Sequence, residues 1–124
     1  MTVHAKPEIL LVDDDRDMCE SLSDVLSLDS TYSVTYCIDP LKVLEMLKTR
    51  TFALIILDYK MPGMNGMELI KEIIKFKPDS VIFMLTAFIS TELINQAKKE
   101  GAVKVLSKFI WPDKILSHIK ETLS

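Results

Sequence analysis

Short apolar runs alternate with amphipathic stretches along almost the whole chain. Glu8–Asp13 is an apolar run closed by acids and reads as the first strand. Met18, Leu22, Val25 and Leu26 then recur at helical spacing and form one apolar stripe. Ser33–Cys37 alternates Val34 and Tyr36 with polar neighbours, the pattern of a strand at the edge of a sheet. Asp39-Pro40 suits an N-cap followed by proline in the first turn, and Leu41, Leu44 and Leu47 are the expected inner face of the second helix. Ala53–Asp58 is apolar up to its final carboxylate, as a strand covered on both faces is. A third helix starts near Asn65 or Gly66, uses Leu69, Ile70, Ile73 and Ile74, and is broken by Lys77-Pro78-Asp79. Val81–Leu85 is the fourth strand, Ser90–Glu100 the fourth helix with Gly101 as its stop, and Val103–Leu106 the fifth strand. Pro112 opens the last helix, with Ile115, Leu116, Ile119 and Leu123 facing inward.

Five strand–helix units in 124 residues predict one α/β domain over residues 1–124. Strict alternation with apolar inner strands calls for a doubly wound, five-stranded parallel sheet with helices on both faces. Ligands of such folds bind beyond the carboxyl ends of the strands. The residues that end the predicted strands are Asp13 and Asp14, Asp58, Thr86 and Lys108.

Composition narrows the partners. The apolar fraction is 48% and the charged fraction 27%, which suits a folded core. A net charge of −3 argues against direct nucleic-acid binding, which requires a basic face. No apolar run reaches the ~20 residues of a membrane span. Met1–Pro7 has no signal-peptide apolar region. Cys19 and Cys37 share no motif spacing and are expected to be reduced thiols of a cytoplasmic protein.

Taken as one site, Asp13, Asp14 and Asp58 put three negative charges together, which cannot stay ionised and unpaired. A hard divalent cation such as Mg²⁺, held by oxygen ligands, offsets them and leaves coordination positions for a phosphoryl oxygen. Lys108 adds a fixed positive charge and Thr86 a hydroxyl donor. Such a set stabilises a phosphoryl group in transfer. A carboxylate is a competent nucleophile toward phosphorus. Asp58, alone at the end of a central strand, is the best placed, while adjacent Asp13 and Asp14 suit metal binding.

The motifs Leu11-Val12-Asp13-Asp14, Leu57-Asp58-Tyr59-Lys60-Met61-Pro62-Gly63-Met64-Asn65-Gly66, Leu85-Thr86-Ala87 and Lys108 occur in this order along nearly the full length. In this the chain resembles a response-regulator receiver domain of two-component signalling. The resemblance implies a flavodoxin-like strand order of 2-1-3-4-5. It implies that a sensor histidine kinase or phosphotransfer protein donates a phosphoryl group to Asp58. It implies that Asp13, Asp14, Asp58 and the backbone carbonyl of Lys60 hold Mg²⁺. Thr86 and Lys108 would contact the phosphoryl oxygens and pass the state to the face formed by helix four, strand five and helix five. That face is also a candidate surface for an effector domain or a homodimer. Such a domain is not an enzyme on other substrates; it catalyses only its own phosphorylation and dephosphorylation. No effector domain follows Ser124, so the chain reads as a stand-alone receiver or an excerpt of a longer protein.

Two positions depart from the family pattern. Phe109 stands where proline usually follows the lysine, often through a cis bond. A cis bond before a non-proline residue costs about 3–4 kcal/mol, so Lys108–Phe109 is expected to be trans, with a rearranged loop and a less rigid Lys108. Val105 stands where an aromatic usually swings inward, leaving Phe88, Phe109 or a backbone shift to carry the response. Phe88 and Lys60 are candidates for tuning the lifetime of a phosphoryl group, with Phe88 as a shield.

Other readings stay beside these. Asp14 alone suits an N-cap, and Asp15 and Asp17 are first-turn acids favoured by the helix dipole. Met61, Met64 and Met67 read as packing of a turn rather than a soft binding surface. His4 and His118 read as surface residues. A haloacid-dehalogenase-like phosphatase wants an acid where Lys60 stands, and a flavin carrier wants a phosphate-cradling loop where Asp13-Asp14-Asp15 stands. A pseudo-receiver, used for protein contacts without phosphorylation, is the alternative that Val105 and Phe109 keep open.

Overall fold

A computed structural model describes residues 6–124 of the chain. His4 lies outside the described residues. The strands are β1 (Glu8–Val12), β2 (Ser33–Cys37), β3 (Leu54–Asp58), β4 (Ile82–Thr86) and β5 (Lys104–Ser107). The helices are α1 (Arg16–Ser27), α2 (Val43–Thr49), α3 (Gly66–Phe76), α4 (Thr91–Glu100) and α5 (Pro112–Leu123). All pairings are parallel, in the order β2-β1-β3-β4-β5, which is the order the resemblance implies.

The apolar inner strands have a direct structural meaning. Successive side chains of a strand point to opposite faces, so a run without polar positions fills two cores. Leu10, Val12, Ile55, Leu57 and Met84 face α2, α3 and α4. Ile9, Leu11, Leu54, Ile56, Phe83 and Leu85 face α1 and α5. The central strands β3 and β4 are buried at every position, whereas β2 at the edge is largely half-exposed, as its alternating sequence predicts.

The helix ends are set by side chains that satisfy otherwise free backbone N–H groups. Asp15 Oδ1 accepts from Met18 N at 3.3 Å, Asn65 Oδ1 from Glu68 N at 3.0 Å, and Ser90 Oγ from Leu93 N at 3.1 Å. The cap of α1 is therefore Asp15, not Asp14, and this frees Asp14 for the strand end. Gly101, with a φ of 127°, stops α4.

Three expectations need correction. Leu41 does not line the inner face of the second helix. Pro40–Lys42 forms a 3₁₀ turn before α2, which leaves Leu41 63% exposed and puts Val43 and Leu47 inside. Of the α1 stripe, Leu26 is fully buried with Cys19, while Met18, Leu22 and Val25 are half-buried. His118 is not a free surface residue: it is half-buried, and the Lys104 ammonium donates to its Nδ1 at 2.8 Å, joining β5 to α5. Both cysteines are buried free thiols, and burial pushes the Cys19 thiol up to about 12, so it stays protonated.

The relocation of α2's inner face gives a direct test. Leu47→Ala empties a fully packed position and should cost about 2–5 kcal/mol. Leu41→Ala should stay within about 0.5 kcal/mol of the parent. Urea unfolding of the two variants measures the difference; equal losses would restore Leu41 to the core.

Candidate functional site

The site is a product of strand register. Val12 pairs with Leu57 across β1 and β3, so the next residues, Asp13 and Asp58, leave the sheet side by side. Asp58 pairs with Leu85 across β3 and β4, and Thr86 with Ser107 across β4 and β5. This brings Asp13, Asp58, Thr86 and Lys108 to one end of the sheet. A cleft of about 690 Å³ opens there, lined by Asp14, Asp58, Lys60, Thr86 and Lys108 among others.

One carboxylate oxygen each from Asp13, Asp14 and Asp58 lies within 4.8 Å of the others. Asp58 is 4% exposed and Asp13 is 8% exposed, so their repulsion is poorly screened by water. Lys108 is the counter-charge. Its Nζ donates to Asp58 Oδ2 at 3.0 Å and stands 3.3 Å from Asp13 Oδ2. Burial alone would lower the ammonium's affinity for its proton, but the bond to Asp58 and the charges of Asp13 and Asp58 outweigh it and hold the lysine above its ordinary value. Lys108 is thus charged across the neutral range.

Asp13 shows the opposite balance. Burial raises its carboxyl above the ordinary carboxylate value, and the charge of Asp58 adds to this. The backbone N–H of Asp15, which donates to Asp13 Oδ1 at 3.0 Å, and the nearby Lys108 only partly compensate. The strand end therefore carries more negative charge than its own lysine offsets. Three convergent oxygen donors with an unbalanced charge are the donor set that a hard divalent cation fits.

Thr86 is 3% exposed and reaches the cleft, but its Oγ1 accepts from Phe88 N and donates to Phe88 O, both at 3.2 Å. Its hydroxyl is thus engaged by its own loop. Phe88 is 82% exposed and lines the same cleft as Asp58. Lys108–Phe109 is trans, as expected, since no cis peptide occurs among the described residues. The loop closes as a tight turn in which Ser107 Oγ accepts from Phe109 N at 3.2 Å. Lys108 nevertheless reaches both Asp58 at the end of β3 and Asp13 after β1. Val105 is half-buried against the α4 side of the core. Met61 and Met67 are buried and Met64 packs on them, which confirms the packing reading.

Sequence reasoning missed the part of Asp15, which caps α1 and also orients Asp13 through its backbone N–H. The signal was present as two acids spaced one residue apart around Asp14, the pattern of a side chain bonding backbone two residues on. It also missed Tyr59, which lines the cleft beside Asp58.

A family model for the response regulator receiver domain matches residues 9–120. The chain belongs to this family. Transcriptional regulatory protein ZraR of Klebsiella oxytoca is 33% identical over 117 residues, covering 94% of this chain and 26% of that protein. The C4-dicarboxylate transport transcriptional regulatory protein DctD of Rhizobium meliloti is 28% identical over 112 residues, covering 90% of this chain and 24% of that protein. The receiver domain thus spans about a quarter of the length of these curated relatives. Among solved structures, a CheY-like receiver domain of Methanospirillum hungatei matches with a TM-score of 0.88 at 29% identity, covering 96% of this chain and 94% of that one. Chemotaxis protein CheY4 of Vibrio cholerae matches with a TM-score of 0.88 at 29% identity, covering 96% of this chain and all of that one. The fold and the place in two-component signalling follow. Among the described residues, no helix is long and apolar enough to cross a membrane.

The balance at Asp13 predicts a stability effect with a definite sign. A carboxyl whose folded-state pKa is raised destabilises the fold once pH exceeds its ordinary value, and the cost vanishes below it. In metal-free receiver domain at pH 7, Asp13→Asn should raise the urea midpoint, and the gain should fade as pH approaches 4. Added Mg²⁺ should stabilise the parent more than the variant. A variant less stable than the metal-free parent would contradict the assigned balance.

Proposed function

We propose that this receiver domain accepts a phosphoryl group on Asp58 from a histidine kinase or phosphotransfer protein, with Mg²⁺ held by Asp13, Asp14, Asp58 and the backbone carbonyl of Lys60. The observation that supports it most is the grouping of three carboxylates within 4.8 Å beside Lys108 at the mouth of an open cleft. Bound Mg²⁺ would supply positive charge against both the carboxylates and the phosphoryl oxygens.

The chain's own residues take the remaining roles. An Asp58 carboxylate oxygen attacks phosphorus, the bond from phosphorus to the donor's imidazole nitrogen breaks, and that nitrogen keeps the electron pair. Lys108, already at the Asp58 oxygen, stabilises charge on the group in transfer. Thr86 would donate its hydroxyl to a phosphoryl oxygen and in doing so give up its bond to Phe88 O. The β4–α4 loop and the adjoining helix four–strand five–helix five face then report the state to an effector domain or a second copy. With Val105 in place of a ring, the loop carries that change. The domain acts in the cytoplasm, and its only catalysis is on its own aspartate.

Mass measurement after incubation with Mg²⁺ and a small phosphodonor tests the proposal. The parent should gain one phosphoryl group, and Asp58→Asn none. Lys108→Ala should slow formation by about 100-fold, the usual loss of a charge-stabilising group. No adduct on the parent would leave a pseudo-receiver, a protein-interaction module without phosphorylation.

A further inference from the structure

The start of α3 presses against the reactive strand end more tightly than any side chain allows. A Cβ on Gly66 would lie 2.7 Å from Asp58 O, 2.8 Å from Tyr59 Cα and 3.0 Å from Leu57 Cδ1. The first two are backbone atoms and cannot rotate away. The glycine is not there for its backbone angles: among the described residues only Gly63 and Gly101 have positive φ. At Gly63, whose φ is 85°, nothing lies within 4 Å of a Cβ, so the two glycines of this loop serve different needs.

Close approach is used for a bond. Gly66 N donates to Tyr59 O at 2.6 Å, while Tyr59 N donates to Leu85 O at 2.8 Å. The backbone of Tyr59, the residue that follows Asp58, is thus held at both its N–H, by β4, and its carbonyl, by the first N–H of α3. First-turn N–H groups of a helix have no partner within the helix, so this one is available. The helix cannot easily retreat. Asn65 fixes its first turn, and Leu69, Ile70 and Ile73 are fully buried in the core. A side chain at position 66 would displace the Asp58–Lys60 backbone instead.

We infer that Gly66 is a positioning residue of the phosphorylation site: it sets the backbone from which Asp58 projects and on which the Lys60 carbonyl lies. The inference rests on the phosphoacceptor reading of Asp58. It assigns α3 a part in the site although α3 places no side chain on the carboxylate cluster. The start of α3 and the end of β3 move as one unit, and Mg²⁺ affinity depends on their separation.

Two variants test this. Gly66→Ala should remain folded, bind Mg²⁺ about 10-fold or more weakly, as loss of support behind a metal ligand does, and form the phosphoryl adduct correspondingly more slowly. Its amide spectrum without metal should differ from the parent's at Asp58, Tyr59 and Lys60. Gly101→Ala is the control for stability alone, since its Cβ would meet Ile74 Cγ1 at 2.6 Å. It should melt earlier yet keep parental Mg²⁺ affinity and adduct rate. Parental Mg²⁺ affinity in Gly66→Ala would overturn the inference, as would an equal loss in Gly101→Ala. Should Gly66→Ala not fold, hydrogen exchange on the parent decides: the Gly66 amide should be strongly protected, and exchange at the rate of an unprotected amide would overturn the inference. A parent that binds Mg²⁺ but forms no adduct sinks the phosphoacceptor reading and leaves the Mg²⁺ comparison to judge Gly66.

Discussion

Three carboxylates from the ends of β1 and β3 meet at one end of the sheet with a single ammonium between two of them, and the site depends on that contact. Lys108 sits 3.0 Å from Asp58 and 3.3 Å from Asp13, while Asp14 stays at the open side. Without the lysine, two nearly buried negative charges would face each other in a poorly screened setting. With it, the cluster is tolerable but not neutral. That residue of negative charge suits a hard divalent cation.

The sheet makes this contact reproducible. Parallel pairing at Val12–Leu57 aligns Asp13 with Asp58, and β4–β5 pairing, with Lys108 N donating to Thr86 O at 2.9 Å, brings Lys108 across. A slip of one residue would turn every apolar side chain of a strand to the opposite face. The two cores on either side of the sheet forbid that, so the packing that stabilises the domain also fixes the acids. The helices add the finer adjustment: Asp15 caps α1 and orients Asp13, and Gly66 ties α3 to the Tyr59 carbonyl.

The departures from the family pattern, Val105 and Phe109, lie beside the carboxylate cluster rather than in it. Phe109 leaves a trans peptide and a turn closed by Ser107, yet Lys108 keeps its partners because the carboxylates hold its ammonium end. Val105 offers no ring, and three exposed aromatics, Phe88, Phe109 and Trp111, lie instead on the loops after β4 and β5. Thr86 is bonded to the Phe88 backbone, which makes that loop the part most directly exposed to a change at Asp58.

The sequence by itself determined the five alternating units, the parallel sheet, and the acids, threonine and lysine at the strand ends. Apolar runs too short for helices, ending in charged residues, admit few other arrangements. It placed β2 at the edge and Gly101 at the end of α4 from local chemistry alone. What it misjudged depended on neighbours distant in sequence. The 3₁₀ turn at Pro40 rotated Leu41 outward, and Lys104 captured His118 across β5 and α5. The need for glycine at position 66 is of the same kind. Its φ is ordinary, so nothing local calls for glycine; only the approach of α3 to Asp58 O, within 2.7 Å of where a Cβ would stand, does. Periodicity and capping are properties of a segment and can be read along the chain, whereas close approach and charge balance exist only between segments and are decided when they pack.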